Sequence, residues 1–338
     1  VHDGVTGDLD LDLREFFLDY ARGDFDFRLG RQITTWGVGD LVFINDVFPK
    51  NWVSFFAGRP LEYLKVGVDG LRVRYSSSTL SAELLVIPRF EPDTLPTPGR
   101  FFLHDEFGPG VSRARNLPGD DFGNPEVALR FYGRLGGFDL SAYAYRGHWR
   151  APGQRADDDA PARVTFIYPR LSVYGLSAQG QALGGVVSLE TAYYDSRDAR
   201  GGGDSAVANS QLRFLAGYQK QLWRNFTIGA QYYAEIMMDF HAYKRALPAG
   251  FARTEKYRDV ATLRMTRYLK HETWKLSVFA FYGVAENDYL LQPQAMYKFS
   301  DNLSATLGAN LFGGKKSTTF LGQFEQNDNF YLSLRYDF

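Results

Sequence analysis

The chain has 338 residues, with 38 basic against 39 acidic side chains for a net charge of −1, and no cysteine. That balance carries no global signal for nucleic acid, and the missing cysteine excludes disulfides, thiolate metal sites and a cysteine nucleophile. Hydrophobic residues make up 45% and aromatics 16%, yet mean hydropathy is only −0.30; apolar and polar residues must be interleaved, since no apolar run approaches the ~18 residues of a transmembrane helix.

In chain order, alternation first predicts strands over 8–22 and 24–33, joined at Arg22-Gly23. Arg31 and Gln32 close the second strand and lead into Trp36 and Asp40. Two readings are open for these four: a charged rung at a channel mouth, or strand-end side chains bonding loop carbonyls. The segment 34–62 is unusually apolar for a connection, with Trp36, Phe43, Ile44, Phe48, Trp52 and Phe56. Such a loop is costly in water, so it is predicted to pack inward as a plug or constriction. Strands follow at 63–76 and 79–88 around Ser76-Ser77-Ser78. The Pro-rich stretch 88–124 is a second candidate plug, because long structureless loops are uncommon without a function.

Further strands are predicted at 125–135, 138–148, 164–178, 185–195 and 210–222. Asp157-Asp158-Asp159 reads as a solvated loop rather than a cation site, and Gly201-Gly202-Gly203-Asp204 as flexible loop rather than a phosphate cradle, since no helix follows. The clearest alternation runs over 226–240: Phe226, Ile228, Ala230, Tyr232, Ala234, Ile236 and Met238 on one face, Gln231, Glu235 and Asp239 on the other. That length exceeds the ~5–6 residues of an ordinary strand and suits a tilted membrane strand of ~9–11. Strands at 257–269, 274–285, 289–299, 303–312 and 327–338 complete the series.

Tight turns alternate with long polar loops, so one end of the molecule carries turns and the other mostly loops. Together with the two-faced strands, this predicts one domain over 1–338: an all-β, antiparallel up-and-down transmembrane barrel with short periplasmic turns and long extracellular loops. Fifteen strands are visible in the sequence. Even strand numbers are usual in such barrels, so about sixteen are expected, with one strand before Val1.

The final strand alternates Phe330, Leu332, Leu334, Tyr336 and Phe338. A chain stopping on an aromatic there resembles bacterial outer-membrane β-barrels, which implies recognition of Phe338 by the barrel-assembly machinery. Leu13–Tyr20, Arg28-Leu29-Gly30-Arg31-Gln32, Trp36-Gly37, Asp40, Asn45-Asp46, Pro49 and Glu83–Phe90 resemble poorly characterised proteobacterial outer-membrane proteins related in style to porin-like and alginate-export-type channels. The resemblance covers about a quarter of the chain and implies an integral outer-membrane location with lipid and lipopolysaccharide around it.

The polar strand face is too charged for a dry core, because each buried ion would cost several kcal/mol. It is expected to line a water-filled lumen through Arg72, Arg74, Arg130, Arg134, Arg213, Arg264, Lys275, Lys298 and Arg335, with Glu83, Glu190, Glu235, Asp239, Asp139 and Asp337 as the acids. The basic excess predicts a channel for small polar, mildly preferred anionic solutes, unless the arginines pair with those acids and brace the wall. Two alternatives stay open: a barrel sheathing a periplasmic or luminal partner protein, and a plugged transporter of hydrophobic or lipid substrates. No enzyme, cofactor or metal site is expected, since the five histidines fall in loops, turns or strand ends away from any nucleophile system.

Overall fold

The structure, a computed structural model, describes residues 13–108, 110–119, 123–157 and 162–337. Its strands are β1 (Phe16–Arg22), β2 (Phe25–Gln32), β3 (Val68–Ser76), β4 (Leu80–Ile87), β5 (Ser112–Asn116), β6 (Glu126–Leu135), β7 (Phe138–His148), β8 (Gly153–Ala156) and β9 (Arg163–Ile167). They continue as β10 (Arg170–Ala182), β11 (Gly185–Ser196), β12 (Gln211–Trp223), β13 (Phe226–Met237), β14 (Tyr257–Leu269), β15 (Trp274–Gly283), β16 (Asp288–Lys298), β17 (Leu303–Gly314) and β18 (Asn329–Tyr336). Two short helices, α1 (Trp52–Phe56) and α2 (Phe240–Ala246), lie in loops.

Fifteen strands form one antiparallel sheet that follows chain order from β1 to β18, passing over β5, β8 and β9. This meander is the barrel-type sheet that the alternation predicts. Tight turns such as Leu183-Gly184, both at positive φ (56° and 72°), link its strands at one end; that geometry matches the twist of the strands they join. The other end carries the loops. Phe338 and the strand expected before Val1 lie outside the described residues, as do Asp158 and Asp159.

Several boundaries differ from the sequence reading; the strand expected from 63, for one, starts at Val68, because Leu61–Leu64 form a 3-10 turn. The segment 164–178 divides at Tyr168-Pro169, because proline cannot donate to a central ladder. Its first part, β9, leaves the large sheet to pair with β5 and β8 in a three-stranded sheet among the loops. The strand predicted over 226–240 stops at Met237, since Asp239 turns to φ 50° and precedes α2. Asp239 is therefore off the sheet wall. The turn expected over 179–184 contracts to Leu183-Gly184 because β10 runs on to Ala182.

The outer face is apolar and exposed along its whole height: Leu18, Leu176, Leu189, Leu307 and Leu332 are each at least half exposed. Cross-strand register puts Ile228, Tyr232, Ile236, Leu263, Leu276 and Val278 on this same face. The inner face departs from the expectation of a uniformly wet lining. Its turn-side half is polar and open, whereas its loop-side half is buried, with Leu85, Ile87, Val173, Leu215, Leu290 and Phe312 packed beside the buried polar groups Glu126, Glu190, Glu235 and Asn310. Burial thus changes with height, and the segment between β2 and β3 covers much of the buried half.

Candidate functional site

Residues 33–67 leave β2, turn inward and cross the bore. Their apolar side chains divide between two packed clusters. Trp36, Ile44, Val47 and Phe48 join Leu85, Val173 and Leu215 of the wall. Phe55, Phe56 and Leu64 join Leu290, Phe312 and Phe324 on the far side. Aromatic edges lock each cluster: Trp36 meets Phe48 with centroids 5.1 Å apart, and Phe56 meets Phe324 at 4.5 Å. The local helix α1 is started by Asn51, whose side-chain oxygen accepts from the Ser54 amide at 2.8 Å; Asn is among the strongest helix starters.

Polar anchors come from strands around the bore. Glu190 on β11 accepts from the amides of Val38 (2.9 Å), Gly39 (3.2 Å) and Asn45 (2.7 Å), and from Asn45 Nδ2 (2.9 Å). A buried carboxylate is tolerated when several N–H groups surround it. Trp36 Nε1 donates to Glu83 at 2.8 Å, Tyr194 donates to the Ile44 carbonyl, and Asn310 and Asn329 both donate to the Phe56 carbonyl at 3.1 Å. Two glycines permit this approach. Gly37, at φ +82°, lies against the Glu190 carboxylate, and a Cβ on Gly175 would collide with Asn45 Oδ1.

Asp40 marks the farthest reach of the loop. Its amide donates to Gln231 Oε1 at 2.7 Å and its carbonyl accepts from Gln231 Nε2 at 2.9 Å. Its carboxylate takes two hydrogen bonds from the Arg264 guanidinium, one to Oδ1 at 2.9 Å. A gap of about 30 Å³ between the loop and the β14–β18 wall is bordered by Arg59, Arg264, Ser277, Gln292, Gln294 and Tyr331. That holds a water or two.

On the turn side of the loop the wall keeps its charges. Arg74 pairs with Glu83 (3.1 Å) and Arg335 with Asp337 (2.8 Å) and Glu62 (3.5 Å). Arg213 and Glu235, 3.3 Å apart, lie instead near the loop ends of their strands beside Tyr194, with Glu235 buried. Arg72, Arg130, Arg134, Lys275 and Lys298 have no carboxylate partner among the described residues; Arg130 bonds the Ser141 hydroxyl at 3.1 Å. Arg31 shares the outer face of Phe16 and faces Asp69 at 3.4 Å, away from any mouth. Gln32 is wholly buried and donates to the Gly70 carbonyl at 3.2 Å. Glu190, expected to line the lumen or, in the bracing alternative, to pair with arginine, holds loop amides. Arg28, bonded to Asp19 at 2.7 Å, was legible from its alternation with Phe27 and Leu29; the roles of Gln231 and Asn45 had no sequence signal.

The second long segment lies above the first. Asp93 accepts from the Lys50 amide (2.7 Å) and the Trp52 indole (3.1 Å), and Phe102 exchanges two bonds with Asn327 across the loop end. Lys50 donates to Asp46 at 2.9 Å, and Lys65 reaches the same carboxylate. Burial pushes the Lys50 ammonium below its ordinary value, with Asp46 opposing; burial likewise raises the Asp93 carboxyl, with Lys50 opposing.

The chain belongs to the family described as "Protein of unknown function (DUF1302)", whose model matches residues 8–338. Curated proteins gave no match. Among solved structures it is similar to OccK5 (OpdH) of Pseudomonas aeruginosa, at 11% identity and TM-score 0.51 over 95% of this chain and 81% of that one. It is also similar to OccAB4 of Acinetobacter baumannii, at 11% identity and TM-score 0.50 over 95% and 73%. The fold is that of outer-membrane porin barrels.

Proposed function

We propose that this protein is an integral outer-membrane channel whose bore is closed at rest by residues 33–67 and which passes small polar solutes, anions in preference, when that loop shifts. The observation carrying this reading is the vertical division of the inner wall. The loop-side half is packed, the Asp40–Arg264 contact ties the loop to β14, and unpaired cations stand below it. A charged wall beneath a narrow constriction focuses its field on passing ions, so a modest excess of Arg72, Arg130, Arg134, Lys275 and Lys298 biases traffic. Residues 33–67 are the constriction in this reading, and the segment 88–124 is a second candidate plug, tied to the first through Asp93.

A second reading, passage of hydrophobic solutes, draws on the aromatic packing of the loop-side half. Conductance of purified protein in planar bilayers separates the two. Discrete ion-conducting steps with a reversal potential towards anions support the channel; silence under voltage and denaturant-free loop opening would favour the hydrophobic route.

A further inference from the structure

The outer wall carries a feature that solute passage does not use. At the loop-side rim of β7, β10 and β11, four arginines gather. Arg146 lies opposite Ser172 in the β7–β10 ladder, and the Arg197 amide donates to the Arg170 carbonyl at 3.0 Å. Alternation with Tyr174 and Leu176, 56% and 59% exposed, sets Arg170 outward; register with Ser172 sets Arg146 outward too. Asp198 pairs with Arg170 at 2.6 Å and Asp195 with Arg200 at 2.7 Å. The guanidinium groups of Arg146 and Arg197 have no hydrogen-bond or ion-pair partner among the described residues. Four arginines less two aspartates leave a local charge of +2. Burial first, and then the like charges of Arg146 and Arg170, hold the Arg197 guanidinium below its ordinary value. Gathering unpaired cations costs free energy unless an anion joins them.

Directly below, the same strands form a hollow. Phe131, Ala142, Leu176, Thr191, Phe214 and Ala234 make one outward row across six strands. Small side chains at Ala142, Thr191 and Ala234 alternate with large ones, leaving an apolar groove of about 940 Å³. Arg146 stands four residues above Ala142, roughly 13 Å along the strand. With strands tilted by ~35–45°, that is about 10 Å along the membrane normal, within the ~15 Å of one leaflet's hydrocarbon. Apolar groove and basic rim are thus spaced as acyl chains and headgroup are in one leaflet. The rim is at the loop end, which in such barrels faces outward from the cell.

We propose that this groove and rim dock one phosphorylated, multiply acylated glycolipid of the outer leaflet, of the lipid A class, with its chains in the hollow row and a phosphate on Arg146 and Arg197. Guanidinium forks bind phosphate oxygens in pairs. The inference rests on the outer-membrane placement of the barrel and not on what passes through it.

The test is native mass spectrometry of the folded protein in detergent, titrated with phosphorylated lipid A or the same lipid after phosphatase treatment. We expect the phosphorylated form to be retained at least fivefold better. The double variant R146A/R197A should remove that advantage, Ala142→Trp should weaken both forms, and a loop control, K244A/R245A, should change neither. Equal retention of the two lipids by the unmutated protein overturns the proposal without any variant. So does unchanged retention in R146A/R197A, or an equal loss in the control. Heat-dependent gel mobility verifies that each variant is folded.

Discussion

Asp40, at the tip of the inward loop, and Arg264, in the middle of β14, meet across the bore in a two-point contact, with Nη2 to Oδ1 at 2.9 Å. They are 224 positions apart in sequence, and Gln231 holds the Asp40 backbone from the next strand. The side chains of Asp40 and Arg264 are 47% and 30% exposed, so solvent screens the pair and its loss should cost no more than ~1 kcal/mol of stability. The effect should instead appear in conduction. Asp40→Ala and Arg264→Ala are each expected to raise single-channel conductance or opening frequency at least twofold in planar bilayers, with melting nearly unchanged. Unaltered conductance in both would remove the contact from the permeation path.

Glu190 is the stronger anchor. Truncation to alanine leaves the amides of Val38, Gly39 and Asn45 facing a cavity without an acceptor. Each unsatisfied buried donor costs ~1–3 kcal/mol. Glu190→Ala should therefore free residues 33–47 while the sheet persists. Hydrogen exchange would show those amides losing protection by a factor of ten or more, with β12 and β13 unaffected. Retained protection would mean that the apolar cluster alone seats the loop.

The wall arginines are not equivalent. Arg72 and Arg130 lack carboxylate partners, whereas Arg74 neutralises Glu83, itself 5% exposed. Replacing Arg72 or Arg130 by Ser removes one free cation and should lower anion preference by a step without harming the fold. Arg74→Ser also strands a buried carboxylate, so it should shift the reversal potential further and destabilise by ~3–5 kcal/mol. Reversal potentials in a salt gradient, read beside melting curves, rank the three. Equal shifts and equal stabilities would refute the distinction.

The outer face permits a check of orientation. Ala234 lies on the outward face of β13, toward its loop end and opposite Phe214, and Ala230 lies at mid-strand on the same face. An arginine at the latter should cost ~2–4 kcal/mol in a bilayer, but little in a soluble barrel. Single cysteines at Leu276, Leu307 and Leu332 should resist a water-soluble, bilayer-impermeant thiol reagent in vesicles. Ready labelling of all three would invert the assignment of faces.

Strand positions were readable because alternation is dense: β14 runs over Tyr257–Leu269, the bounds predicted from it. Failures were local or tertiary. Pro169 ended a pattern that continued in hydropathy, and Asp239 broke β13 by backbone conformation while Met238 and Phe240 kept the alternation going. The buried half of the bore was not legible. Leu85, Val173 and Leu215 occupy the positions of polar lining, and only residues 33–67, arriving from far away in sequence, explain why they are apolar. The loop's own hydrophobicity was the usable signal. Which wall groups would receive it was not, because a glutamate that accepts amides looks the same as one that pairs with arginine.

Acidity should tighten the seat of the inward loop, through Asp93. Its folded value is raised above the ordinary carboxylate value, so between the two the folded protein binds more protons than the unfolded one, and stability falls as pH climbs through that window. Lys50 acts at the alkaline end with the opposite slope: its folded value is lowered, the unfolded chain holds more protons in that window, and stability rises with pH. Asp93→Asn removes the acid-side slope. It keeps an oxygen for either the Lys50 amide or the Trp52 indole and forfeits the other bond, worth ~1 kcal/mol, while relieving the buried charge. Stability near neutral pH should thus change by no more than ~1 kcal/mol. Hydrogen exchange of the Ser54 and Phe55 amides, followed from pH 4 to 8 and corrected for intrinsic exchange, should show protection declining with pH in the unmutated protein and level in Asp93→Asn. Parallel slopes in the two proteins would assign the acid response to another carboxylate and remove Asp93 from control of the loop.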